Sequence, residues 1–162
     1  MSDSEQRDAH RQELPSELAG RGFDKEFEMS FGSNIQFLDL VQEISQSITR
    51  MAGFDDEASH WICLSIRESV TNAIQHGNQE DESKRVGVRF RIDRHRLLIT
   101  VSDQGRGFDE SSLPDPLDTG NLLKPSGRGV FFVHTFMDKV TYRNLRQGGF
   151  EVTMEKWFKH TM

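Results

Sequence analysis

The sequence predicts an α+β fold: a two-layer sandwich of a mixed, mostly antiparallel sheet with helices on one face. Three observations carry this prediction. Segments of apolar–polar alternation stand early, in the middle and at the end of the chain, as half-buried strands require. Stretches with apolar residues three and four apart separate them, as amphipathic helices require. The later strand segments come in adjacent pairs joined by turn residues, the pattern of antiparallel hairpins.

The elements follow in order. Residues 1–21 mix charges of both signs with few apolar residues, so they form a flexible tail, and a domain spans residues 22–160. Phe27, Met29 and Phe31 alternate with Glu26, Glu28 and Ser30, a first strand ended by Gly32. Ser33 or Asn34 caps a helix with apolar positions Phe37, Leu38, Val41, Ile44 and Ile48, ended by Gly53. Asp55 or Asp56 caps a second helix running to about His76, with the stripe Ala58, Ile62, Ile66, Val70 and Ala73. Trp61 and Leu64 fall on its other side, so a further element packs over them.

Val86, Val88, Phe90 and Ile92 form a strand. A turn at Asp93 to Arg96 leads into Leu97, Ile99 and Val101. Asp109 to Ser126 shows no steady period and reads as a long loop. Gly127-Arg128-Gly129 opens a third helix. Val140 and Tyr142 begin a strand that Gly148-Gly149 turns into Phe150, Val152 and Met154.

Composition narrows the functional classes. The 162 residues hold 26 acidic and 20 basic side chains, a formal net charge of −6, which argues against coating nucleic acid or anionic membrane. The mean hydropathy of −0.63 and the lack of any apolar run near the roughly 18 residues of a membrane span fit a water-soluble chain. Cys63 is the sole cysteine, so no internal disulfide forms and a reducing, cytoplasmic setting is expected.

Three clusters carry chemistry. Glu68, Asn72 and His76 stand four apart on the second helix, a carboxylate, an amide and an imidazole in one slightly spiralling stripe. They suit a metal beside a general base, or a solvated polar face. Asp103, Gly105 and Gly107 follow a strand. Such an aspartate can accept from an exocyclic amine while the glycines let backbone approach a ligand, or the segment is a plain glycine turn. Ser126, Gly127, Arg128 and Gly129 enter a helix whose free N–H groups suit an anion, with Lys124 and Arg128 adding positive charge, or they form a flexible entry loop. A Walker A loop is excluded because the GK[ST] ending is absent.

Taken together, Glu-x3-Asn-x3-His, then Asp-x-Gly-x-Gly, then Gly-x-Gly after a loop resembles the ATP-binding domain of the GHKL, or Bergerat, family. Glu68-Ser69-Val70-Thr71-Asn72-Ala73, with the later run Ser126 to Val140, resembles its anti-sigma-factor serine/threonine kinases of the RsbW and SpoIIAB type, over about Phe23 to Lys156. The resemblance implies ATP and Mg²⁺ as cofactors. It implies Glu68 as the base for the attacking hydroxyl and Asn72 as the Mg²⁺ ligand. It places Asp103 on the adenine amine, with Gly105 and Gly107 shaping the pocket. It puts a lid between the glycine clusters and the N–H groups of Gly127 to Gly129 on the phosphates. Lys124, Ser126, Arg128 and His76 join the ATP-binding set, with a capping role as the alternative for His76.

The implied activity is phosphorylation of a STAS-type anti-sigma-factor antagonist. The implied second partner is a sigma factor, held by partner switching, with neither nucleic acid nor membrane contacted directly. A homodimer through the edge of the first strand is compatible with this. Two other readings stand beside it: a catalytically silent ATP-binding module that sequesters a partner, and a detached histidine-kinase catalytic domain.

Overall fold

The computed structural model describes residues 25–107 and 125–159, with side chains in the second stretch from Gly129 onward. Five strands, β1 (Lys25–Gly32), β2 (Arg85–Ile92), β3 (Arg96–Ser102), β4 (Lys139–Asn144) and β5 (Phe150–Trp157), form one sheet in the order β1-β2-β3-β5-β4. Every pairing is antiparallel, so the described sheet has no mixed element. The helices are α1 (Leu38–Met51), α2 (Asp56–Asn72) and α3 (Pro125–Phe136). The tail expected over residues 1–21 and most of the loop expected over Asp109 to Ser126 lie outside the described residues.

One sheet face is apolar and carries the helices. Val86, Val88 and Phe90 of β2, Leu97, Ile99 and Val101 of β3 and Met154 of β5 are buried there against Ile62, Ile66 and Val70 of α2. Their period of two puts all of them on one side of the pleat. The opposite face is charged: Glu28 stands opposite Arg89 and Glu26 opposite Arg91, with ion pairs at 3.2 and 3.0 Å. Such cross-strand pairs add a little stability and keep this face wet.

α2 is the central helix and packs against both α1 and α3. Asp55 caps it by accepting from the Ala58 N–H at 2.7 Å. The expected cover over its second face is α3: Trp61 stacks on Phe136 at 3.9 Å between centroids, with the rings within 5° of parallel. Phe37, expected on the core face of α1, is instead 39% exposed and touches Phe31 at its edge. A 3₁₀ turn over Ile35–Phe37, capped by Asn34, precedes α1 and shifts the phase of the apolar stripe by its tighter winding.

Two helix ends also differ from expectation. α2 does not continue as α-helix to His76, because Ala73–Gly77 forms a π-helical turn. α3 begins at Pro125, ahead of the expected Gly127, so the loop expected through Ser126 ends sooner. Proline fits the first helical turn, where its missing N–H costs no bond.

Candidate functional site

The site is built at the end of α2 and along β3. Glu68 and Asn72 are one helical turn apart and both half-buried, on a side of α2 away from the fully buried Ile62, Ile66 and Val70. Glu68 lies directly under α3. A Cβ on Gly129 would stand on its Oε2, 3.2 Å from Cδ and 3.6 Å from its own Cβ. Glycine at 129 therefore leaves room for the carboxylate. Asn72 is the last α-helical residue before the π turn, and that change of pitch breaks the four-residue line to His76. His76 is exposed at the helix end.

The second cluster is tighter. Asp103 is 5% exposed, and its two hydrogen bonds, from the Gly105 N–H at 2.8 Å and the Phe150 N–H at 3.2 Å, both fall on Oδ1. Oδ2 lies beside Gly77, in the space that a Cβ there would occupy. Gly105 in turn rests on the Gly77 carbonyl, where any side chain would collide. Three segments, the end of the π turn, the Asp103–Gly105 loop and the start of β5, thus meet around one carboxylate. Burial pushes its pKa above the ordinary aspartate value, while the N–H donors from Gly105 and Phe150 and the charge of Lys84 oppose the rise. Gly107 has φ +79°, a conformation glycine adopts without strain, and its α-carbon faces the Asn144 side chain.

The third cluster is described only in part. Gly127 lies within the first turn of α3 and Gly129 is its fifth residue. The first four N–H groups of a helix have no partner within it, so those of Ser126 and Gly127 point out of the end of α3. The lack of a side chain at Gly129 leaves room for the Glu68 carboxylate beneath it. Lys124 and the side chains of Ser126 and Arg128 lie outside the described residues.

Three features escaped the sequence reading. Asn78 is 0% exposed and hydrogen-bonded on every polar atom of its side chain. Gly77, just past the expected end of the second helix, walls the Asp103 carboxylate. His134 of α3 shares a 2.7 Å hydrogen bond with Tyr142 of β4, and the Tyr142 ring stacks on Phe150. Burial pushes the tyrosine to about 12 and the histidine below its ordinary value. Periodicity cannot separate such buried polar residues from solvated ones.

A hollow of about 840 Å³ opens on the charged sheet face. Arg85, Asp103, Gln104 and Arg143 are among its lining residues, and Glu68 and Asn72 are not. Among the described residues, no three His, Cys, Asp or Glu side chains gather into a metal cluster, and no helix is long and apolar enough to cross a membrane.

Comparison with known proteins agrees with this geometry. The serine-protein kinase RsbW of Staphylococcus epidermidis is 29% identical over 141 residues, covering 82% of this chain and 86% of the relative. RsbW of Bacillus subtilis is 26% identical over 136 residues, covering 80% and 84%. Among solved structures, the RsbU and RsbW domains of a Mycobacterium tuberculosis protein superpose with a TM-score of 0.55 at 16% identity, over 81% of this chain and 32% of that longer one. The catalytic domain of the histidine kinase ThkA superposes with a TM-score of 0.51 at 15% identity, over 81% of this chain and 97% of that one. At such identities the superpositions speak for the fold alone. The family described as the histidine kinase-like ATPase domain matches residues 34–156. An antiparallel sheet under three helices, a carboxylate walled by glycines at the end of β3 and a match over most of its length make this chain a member of the histidine kinase-like ATPase family.

Proposed function

We propose that the chain is an ATP-dependent serine/threonine protein kinase and anti-sigma factor. In this reading it phosphorylates a STAS-type anti-sigma-factor antagonist and holds a sigma factor by partner switching. The observation that carries the reading is the Asp103 carboxylate. Its Oδ1 is held by two backbone N–H groups, while its Oδ2, seated beside Gly77 where a side chain would collide, takes no hydrogen bond among the described residues. A fixed carboxylate with one oxygen left over suits an exocyclic amine, so the residues present suit adenine.

Glu68 is the base in this reading. It is half-buried, close to Asn72, and positioned to take the proton of an incoming hydroxyl. Asn72 would hold Mg²⁺, which when bound neutralises charge on the phosphates. The backbone N–H groups of Ser126, Gly127 and Gly129, with Lys124 and Arg128, are assigned to the phosphates; Gly107 is assigned to the pocket wall. The reading places the protein in the cytoplasm. β1, at the edge of the sheet, is the strand through which two copies would pair.

A second reading has a specific observation in its favour. The first turns of α3 lie over the Glu68 carboxylate at Gly129, which suits a module that binds ATP and sequesters a partner without transferring phosphate. Labelled ATP, Mg²⁺ and the STAS-domain proteins of the same source separate the two. Label arriving on a serine or threonine, and lost with Glu68→Ala, supports the kinase. Binding of Mg·ATP that Asn72→Ala abolishes, with no transfer to any of those proteins, supports the silent module. Failure to bind ATP refutes both.

A further inference from the structure

We propose that Asn78 is a positioning residue that sets base selectivity by fixing the Asp103–Gly105 loop against the end of α2. The proposal rests on the nucleotide reading of Asp103 and adds to it the residue that aims the carboxylate.

Asn78 follows the π turn directly and is fully buried. Its Oδ1 accepts from the Gln104 N–H at 2.8 Å. Its Nδ2 donates to Ser33 Oγ at 2.6 Å and to the Arg85 carbonyl at 3.0 Å. One side chain therefore ties the end of β1, the start of β2 and the residue between Asp103 and Gly105. A buried amide with both donor protons and its acceptor engaged is a rigid joint, because losing any arm leaves a desolvated partner.

The loop it holds has two supports. On the sheet side, the Asp103 N–H donates to the Phe150 carbonyl at 2.9 Å. On the helix side, the sole hydrogen bond to the Asp103–Gly105 backbone among the described residues is the one to Asn78. The Gln104 side chain closes the joint by accepting from the Arg85 N–H at 2.7 Å. The bond from the Gln104 N–H to Asn78 thus holds Asp103 Oδ2 beside the Gly77 wall, together with the packing of Gly105 on the Gly77 carbonyl.

The backbone around Asn78 supports a held geometry. Its N–H donates to the Ala73 carbonyl at 2.8 Å, the five-residue bond of the π turn. Gln79 and Glu80 then adopt φ of 53° and 58°, two successive non-glycine residues in the left-handed region. Such conformations persist where the surroundings over-determine them, and they cluster at ligand clamps.

The test compares ATP with ITP, which carries oxygen in place of the adenine amine. Binding of each is measured by calorimetry on the full chain, for wild type, Asn78→Ala and Ser33→Ala, with a melting curve for every variant. Ser33→Ala removes one arm of the network but keeps the Gln104 bond. It is expected to lower the melting temperature and keep the ATP/ITP ratio. Asn78→Ala is expected to lower that ratio about tenfold, the factor that loss of one buried hydrogen bond's alignment corresponds to. An unchanged ratio in Asn78→Ala, or the same fall in Ser33→Ala, overturns the proposal. If Asn78→Ala does not fold, hydrogen exchange of wild type decides. A Gln104 amide protected as well as the β3 core supports the joint, and one that exchanges freely refutes it. Wild type that binds neither nucleotide refutes the nucleotide reading itself, an outcome distinct from wild-type binding with an unchanged ratio.

Discussion

Gly129 is the fifth residue of α3 and lies over the carboxylate of Glu68. In an ordinary helix, Gly→Ala is stabilising by about 0.5–1 kcal/mol. Here the new Cβ would occupy the place of Glu68 Oε2 and stand 3.2 Å from Cδ. The obstacle is the far end of a flexible side chain, so it rotates away. An off-rotamer glutamate costs about 0.5–1.5 kcal/mol, which offsets most of the helix gain. Gly129→Ala is therefore expected to change stability by less than about 1 kcal/mol in urea unfolding. Its effect on chemistry is larger. Displacing a base by about 1 Å costs on the order of 100-fold in rate, while ATP affinity, which does not depend on Glu68, stays near wild type. The assay is the initial rate of phosphate transfer at saturating ATP, with nucleotide affinity measured separately. A variant that transfers phosphate at the wild-type rate refutes the role of Glu68 as base, or its dependence on the space above it.

Two further outcomes follow from packing and titration. Trp61→Ala removes the stack that docks α3 on α2 and should cost about 2–3 kcal/mol, below the figure for a fully buried ring because Trp61 is half-exposed; circular dichroism in urea measures it, and an unchanged midpoint refutes the docking role. His134 titrates lower in the folded chain than in the unfolded one, where its value is 6.5, because burial disfavours the imidazolium. The folded state then binds fewer protons, so its stabilising contribution is present above the unfolded value and is lost as pH falls through the folded one. His134→Gln, which keeps a hydrogen-bonding group without the titration, should flatten that part of the stability–pH curve; a wild-type and variant difference that is constant across the window refutes it.

The strands and the core of α2 were legible because their apolar periods are regular. Val86 to Ile92 and Leu97 to Val101 alternate without a break, and Ile62, Ile66 and Val70 hold one stripe. The capped start of α2 was legible too, since Asp55 bonds as its residue type suggests, whereas Asn34 caps the 3₁₀ turn and α1 itself starts without a side-chain cap. What escaped was phase. The 3₁₀ turn before α1 displaced Phe37 from the core, and the π turn after Asn72 separated His76 from its stripe. Both are changes of winding that a fixed 3.6-residue template cannot register. The Pro125 start of α3 had a signal available, because proline is favoured in the first helical turn. Asn78 had none: it opens a stretch of polar residues, and only three partners distant in sequence or set on other elements make it a buried joint. The place of Asp103 just after β3, between strand and glycine loop, was legible by residue type and position, whereas the room that Gly129 leaves over Glu68 needed the crossing of α3 over α2.

The π turn has a consequence for how the chain tolerates length change. A five-residue hydrogen-bonded step holds one residue more than the α-helical step, so Ala73–Gly77 acts as a one-residue insertion absorbed without breaking the helix. Each residue of α-helix advances the chain by about 100°. Deleting one residue such as Gln75 would turn the bond from the Asn78 N–H to the Ala73 carbonyl into a four-residue step, so the turn relaxes to α-helix with Glu68 and Asn72 on one side and Gly77 and Asn78 on the other kept in place. A further residue inserted there has no such slack and would carry the wall and the joint of the Asp103 carboxylate out of line. The chain can therefore lose a residue at this turn more easily than it can gain one.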